Sequence, residues 1–152
     1  MQALNLPPSN FQFGERDGKT TIWDRTRKKY IILTPEEWVR QHFIEFLILE
    51  KHFLRNLIKI ETGLKVLKTF KRTDVLCYSN SGKPILLVEC KAPEVKINQQ
   101  TFDQIARYNI PLQVPYLIVT NGMNHYCCSI DFKNKSYSFH QTIPSYHQIA
   151  DL

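Results

Sequence analysis

The apolar run Ile85-Leu86-Leu87-Val88 ends in Glu89-Cys90-Lys91. Four apolar residues in succession read as a buried strand, which places this segment inside a sheet. Side chains alternate along a strand, so Glu89 and Lys91 share one face and Cys90 takes the other. Burying a carboxylate or an ammonium is costly unless it is paired or holds a metal. A second acid, Asp74, stands on the preceding strand-like segment, across a hairpin whose turn is Ser79-Asn80-Ser81-Gly82. An Asp followed by Glu-x-Lys on the neighbouring strand is the minimum set for metal-assisted cleavage of a phosphodiester.

The rest of the chain supplies a scaffold for such a sheet. Its 152 residues suit one domain with a real core, and 43% hydrophobic against 22% charged residues argues against overall disorder. Thr34-Pro35-Glu36-Glu37 opens a helix: Thr34 caps, Pro35 suits the first helical position, and Glu37 completes a Thr-x-x-Glu capping box. Val39, Phe43, Phe46, Leu47 and Phe53 recur at helical spacing and carry the helix to about residue 54. Strands are predicted at 57–61, with a partner at 65–67, then at 70–78 and 84–91. A second helix is predicted over 98–109, with Phe102, Ile105 and Ala106 inward and Pro111 stopping it. Residues 115–120 read as a buried strand, Asn121-Gly122 as a turn, and 125–130 and 136–140 as further strands.

Helix, three strands, helix and more strands make an α/β domain around a mixed sheet flanked by helices, here residues 31–143. Residues 1–30 carry the breakers Pro7-Pro8, Gly14 and Gly18 and the basic run Arg25-Thr26-Arg27-Lys28-Lys29. They read as an arm or loose lead-in with a short hairpin through 20–23, and residues 144–152 as a short tail.

A net charge of +6 favours an anionic partner, nucleic acid first. Neither a signal peptide nor a run of membrane-spanning length is evident. Of the four cysteines, Cys77 and Cys90 fall inside strands and Cys127 and Cys128 are adjacent, which suits reduced thiols. The expectation is a soluble cytoplasmic protein with no membrane partner.

Cleaving a phosphodiester requires stabilising charge on its oxygens and generating a nucleophilic water, and one or two magnesium or manganese ions do both. Asp74 and Glu89 offer two hard carboxylates from adjacent strands, and the Cys90 carbonyl offers a third oxygen. Lys91, on the Glu89 face, can orient or deprotonate the water and offset phosphate charge.

This pattern, in its helical context, resembles the PD-(D/E)XK nuclease superfamily, whose restriction-endonuclease-like core runs α-β-β-β-α-β. Thr73 stands where that superfamily's proline would be. Gln104-Ile105-Ala106-Arg107-Tyr108 resembles the Gln-x-x-x-Tyr motif of the RecB-like branch, and residues four apart share a helix face. Residues 83–97, 101–109 and 114–122, with Thr34-Pro35-Glu36-Glu37-Trp38-Val39-Arg40-Gln41, resemble the N-terminal nuclease domain of type I restriction enzyme motor subunits and the small stand-alone proteins related to it. The resemblance spans roughly residues 30–140. It implies a metal-dependent DNA endonuclease of restriction-modification systems, with Gln104 and Tyr108 facing the active site. It also implies DNA, a second copy of the chain or restriction-modification subunits as partners. Such motor subunits carry an ATP-driven helicase after this domain. Gly14-Glu15-Arg16-Asp17-Gly18-Lys19-Thr20 is one residue short of a P-loop and reads as a turn, so no use of ATP is expected.

Other readings stand beside these. Glu37 is either the helix glutamate that many superfamily members direct at the metal or its water, or merely half of the capping box. Lys71, Arg72, Lys96 and Arg107 lie near the site in sequence and could hold DNA phosphates, while Arg107 could instead pair with Asp103 four residues earlier. His125 and Cys127 share a strand face, yet no second ligand pair at zinc-finger spacing accompanies them. At the level of function, the alternative to a nuclease is a nucleic-acid-binding or assembly module that keeps the fold with little or no activity.

Overall fold

The computed structural model describes residues 1–61, 63–66 and 69–150, with the side chains of 62–72 outside the described residues. Strands β1 (Phe13–Arg16), β2 (Lys19–Asp24) and β3 (Lys29–Ile32) form a three-stranded antiparallel sheet. Residues 13–32 are thus more ordered than the loose lead-in predicted. The added order comes from β3 and from β2 burying Thr21, Ile22 and Asp24, whose spacing was too irregular to signal a strand face.

Helix α1 (Pro35–Lys51) starts where expected, with Thr34 Oγ1 accepting the Glu37 N–H at 3.0 Å. It stops three residues before the predicted end, because His52 turns left-handed (φ 62°) and donates its N–H to the Leu47 carbonyl. The chain continues as β4 (Ile58–Ile60), β5 (Gly63–Val66), β6 (Thr69–Arg72), β7 (Val75–Tyr78) and β8 (Pro84–Cys90). After α2 (Gln99–Asn109) follow β9 (Tyr116–Thr120), β10 (His125–Asp131), β11 (Ser136–His140) and a short α3 (Tyr146–Ala150).

The main sheet has six strands in the order β11-β10-β9-β8-β7-β4. Among the described strands β8 and β9 alone run parallel, and α2 is the crossover that this pairing demands. The predicted strand at 70–78 is in fact two. β6 pairs with β5 as a separate hairpin, whereas β7 pairs with β4 and β8, and the chain changes partner at Thr73-Asp74. The expected pairing of 57–61 with 65–67 is accordingly replaced by β4 with β7.

Strand alternation divides the core in two. Val39, Phe43, Ile44 and Leu47 of α1 pack on Leu86, Val88, Cys90 and Ile118 on one face of the sheet. Phe102 and Ala106 of α2 pack on Leu76, Leu87, Leu117 and Val119 on the other. Both faces of β8 are therefore covered, which is why its apolar run is continuous. Glu89 falls on the face of Leu87, towards α2. No helix among the described residues is long and apolar enough to cross a membrane.

Candidate active site

Where β7 begins and β8 ends, an open cavity of about 420 Å³ is lined by Asp74, Glu89, Gln104 and Tyr108 together with Glu36, Arg40, Glu61, Thr73, Ile105 and Asn109. Residues from the β7–β8 hairpin and from α2, separated in sequence, thus meet at one place. The hairpin register sets Val75 opposite Val88, so Asp74 continues it beside Glu89 and Cys90. Asp74 Oδ2 accepts the Cys90 N–H at 2.7 Å, which fixes the carboxylate across the strand ends.

The other Asp74 oxygen, Oδ1, accepts Arg40 Nε at 2.5 Å. Arg40 was not among the expected site residues, though one cue existed: it lies with Ile44 and Leu47 on the apolar face of α1, where an arginine needs partners. Its guanidinium also donates to Glu37 Oε1 at 2.7 Å and to Glu36 Oε1 at 3.0 Å. Burial opposes its charge, but Asp74 and Glu37 outweigh it and raise its pKa. Burial pushes the Asp74 carboxyl above its ordinary value, and Arg40 and the Cys90 amide offset part of that.

Glu89 is pushed up to about 7, first by burial and then by the Asp74 charge, with Lys91 pulling the other way. Lys91 Nζ lies 3.8 Å from Glu89 Oε1, and the Lys91 N–H donates to the Thr120 carbonyl at 2.8 Å. Glu89 and Lys91 share a face as alternation requires.

Glu37 lies apart from the cavity. Its carboxylate is buried among Arg27 (2.8 Å), Arg40 (2.7 Å) and Gln41 (3.0 Å), so it neither faces the cavity nor completes the capping box. Lys96 and Arg107 are exposed and line no part of the cavity. Asp103 takes Gln99 at 2.9 Å and the Tyr137 hydroxyl as partners. The side chains of Lys71 and Arg72 lie outside the described residues. Glu36, Glu61 and Asn109, also on the cavity wall, had no signal beyond being polar. Glu61 is brought there by β4, its N–H donating to the Asp74 carbonyl at 2.8 Å.

His125 has both ring nitrogens engaged, with Thr120 Oγ1 at 2.6 Å and the Asn5 carbonyl at 2.9 Å. Burial lowers the pKa of His125, and of His42, below the ordinary 6.5. Between pH 6.5 and the lower folded values the unfolded chain binds protons that the folded chain refuses, so these positions remove stability as pH falls. His42→Gln should therefore flatten the acid side of a Tm–pH curve. An unaltered slope would mean that His42 titrates alike in both states.

Residues 35–144 match the family described as type I restriction enzyme R protein N terminus (HSDR_N). The chain belongs to that family. Among similar solved structures is a fragment of an HsdR subunit assigned to a type I restriction enzyme from Vibrio vulnificus, at TM-score 0.53 and 20% identity. That likeness covers 77% of this chain and 24% of the other, so this chain spans about a quarter of the length of the structure it matches. At this identity the likeness shows the fold, a restriction-endonuclease-like α/β core as the resemblance implied. No curated protein matches. The HSDR_N match starts at the first turn of α1, leaving β1, β2 and β3 ahead of it.

Proposed function

We propose that the chain is a metal-dependent nuclease domain that hydrolyses phosphodiesters of DNA. The observation that carries this reading is the convergence of Asp74, Glu89, Gln104 and Tyr108 on one open cavity, although they come from two separate segments.

The donor set fits a magnesium or manganese ion, or two. Glu89, pushed up to about 7 beside Asp74, is a carboxylate short of positive charge. Each Asp74 oxygen already accepts one hydrogen bond and keeps a further lone pair. Among the described residues no group of three or more His, Cys, Asp or Glu converges as a closed metal cage. Magnesium is commonly held by one or two carboxylates plus water and substrate phosphate oxygens. Asp74, Glu89 and the Cys90 carbonyl would hold the ion. Once bound, it supplies Lewis-acid polarisation of the phosphoryl group and a more acidic water.

Lys91 then orients the attacking water or takes its proton, and its charge offsets the phosphate. Gln104 and Tyr108 orient the reacting groups from α2. Lys71, Arg72, Lys96 and Arg107 contribute to phosphate-backbone binding. Glu37 acts on the site through Arg40, away from the metal position. DNA is the substrate, and a second copy or restriction-modification subunits supply the partner for double-strand cleavage.

One observation favours a second reading, a DNA-binding or assembly module of low activity: Arg40 already pairs with Asp74, at 2.5 Å. Plasmid nicking in magnesium or manganese separates the two. Lys91→Ala should slow nicking by about a hundredfold, within the usual range for a lost proton-transfer group. Wild-type protein inert on single- and double-stranded DNA with every divalent metal tried would leave the binding module as the better reading.

A further inference from the structure

Arg27 lies on the turn between β2 and β3, ahead of the stretch that carries the family match. Its guanidinium is nevertheless bound to α1 and to the cavity wall. Nε meets Asp24 Oδ2 at 2.5 Å, Nη2 donates to Glu37 Oε1 at 2.8 Å, and Nη1 lies 3.4 Å from Glu61 Oε2. Asp24 is anchored in turn, being fully buried with Oδ1 accepting the N–H groups of Thr26 and Arg27. The Glu37 oxygen that takes Arg27 also takes Arg40 Nη1 at 2.7 Å, and Arg40 Nε reaches Asp74 at 2.5 Å. Asp24, Arg27, Glu37, Arg40 and Asp74 thus make one alternating chain of charges from the N-terminal sheet to a candidate metal ligand.

We infer that Arg27 is a positioning residue of the site, holding Glu37 so that Arg40 stays aimed at Asp74. Glu37 Oε1 is shared by two guanidinium groups that pull on it from different elements. Without Arg27, the buried Glu37 carboxylate has Arg40 as its one remaining cation among the described residues and draws that planar fork towards itself and Glu36. Arg40 Nε then leaves Asp74, and Glu61 loses the arginine that restrains it at the cavity wall. The importance of this for catalysis rests on the nuclease reading; the coupling of Arg27 to Arg40 does not.

The test follows Arg40 Nε–H by 15N NMR in the full chain, where burial and Asp74 slow its exchange with water. In Arg27→Ala, exchange should speed up by about tenfold or more, whereas Arg27→Lys, which keeps a cation towards Glu37, should stay within about threefold of wild type. Arg55→Ala is the control. It removes another arginine tie of the same turn, to Thr26 Oγ1 at 3.1 Å and Glu45 at 2.8 Å, and should leave Arg40 unaltered. On DNA, Arg27→Ala should lower kcat by about tenfold with KM within about twofold, and Arg27→Lys should restore it. Unchanged Arg40 exchange in Arg27→Ala, or an equal change in Arg55→Ala, overturns the inference. Should Arg27→Ala not fold, Arg27→Gln takes its place in the same comparison. A wild-type chain inert on DNA removes the nuclease reading and leaves the exchange data to decide the coupling.

Discussion

Arg40→Ala should lower the free energy of unfolding by about 3–5 kcal/mol, a large part of what a domain of this size possesses. The arginine side chain is 5% exposed and the two acids it neutralises, Asp74 and Glu37, are 9% and 4% exposed. Removing the cation leaves both carboxylates in a poorly solvated place. Arg27 still covers Glu37, but Asp74 keeps, of its partners among the described residues, the Cys90 amide. The loss should therefore shrink by about half when Asp74→Asn is added, because contacting charges are not additive. Urea or guanidinium unfolding of the two single variants and the double variant measures this. A loss under about 1 kcal/mol for Arg40→Ala would show that water reaches Asp74 and Glu37 freely.

Glu89→Gln should have opposite effects on cleavage and on stability. Loss of a carboxylate from the metal position is expected to slow DNA cleavage by about a thousandfold, several kcal/mol of transition-state stabilisation. In the absence of metal, the same change should stabilise the fold at pH 8 by about 1–2 kcal/mol, the 30% exposure of the carboxylate keeping the gain below what the full shift implies. The sign follows from proton linkage. Glu89 has its folded pKa raised from 4.5 to about 7, so between these values the folded chain holds a proton that the unfolded chain has lost. Wild-type stability from this group is lost as pH rises through that window, while a glutamine is indifferent to it. The Tm advantage of Glu89→Gln should thus be full above pH 7 and vanish below pH 4.5. Magnesium should narrow the gap at pH 8, since it binds the folded wild type in preference. A variant no more stable than wild type at pH 8 would contradict the burial and repulsion assigned to Glu89.

Period-2 and period-3.6 patterns were strong where one residue set decided burial. The apolar run of β8, the capped start of α1 and the Gln104/Tyr108 face of α2 were all legible. Legibility ended where partners are distant in sequence. Nothing in residues 70–78 announces that the chain changes sheets at Thr73-Asp74, because pairing partners leave no mark on a strand's own pattern. The order of β1–β3 was hidden for a related reason: polar Asp24 is buried there by partners on the turn that follows it. At the cavity, the meeting of Asp74 and Glu89 could be expected from their spacing. The choice between Glu36 and Glu37 could not, since neighbouring residues on a helix point about 100° apart and Glu37 is held by Arg27 from a distant turn as well as by Arg40 and Gln41, while Glu36 lines the cavity.

The single parallel pair in the sheet also orders events in time. β7 and β8 close through a tight turn, whereas β8 can meet β9 only after the whole α2 crossover has been drawn back. Short loops close at less entropic cost and sooner than long ones, so the hairpin that sets Asp74 beside Glu89 forms first and Gln104 and Tyr108 arrive with the crossover. During folding, then, the carboxylates face water together before α2 roofs them. The burial that, with Asp74 alongside, pushes Glu89 up to about 7 is completed only in the last stage of assembly.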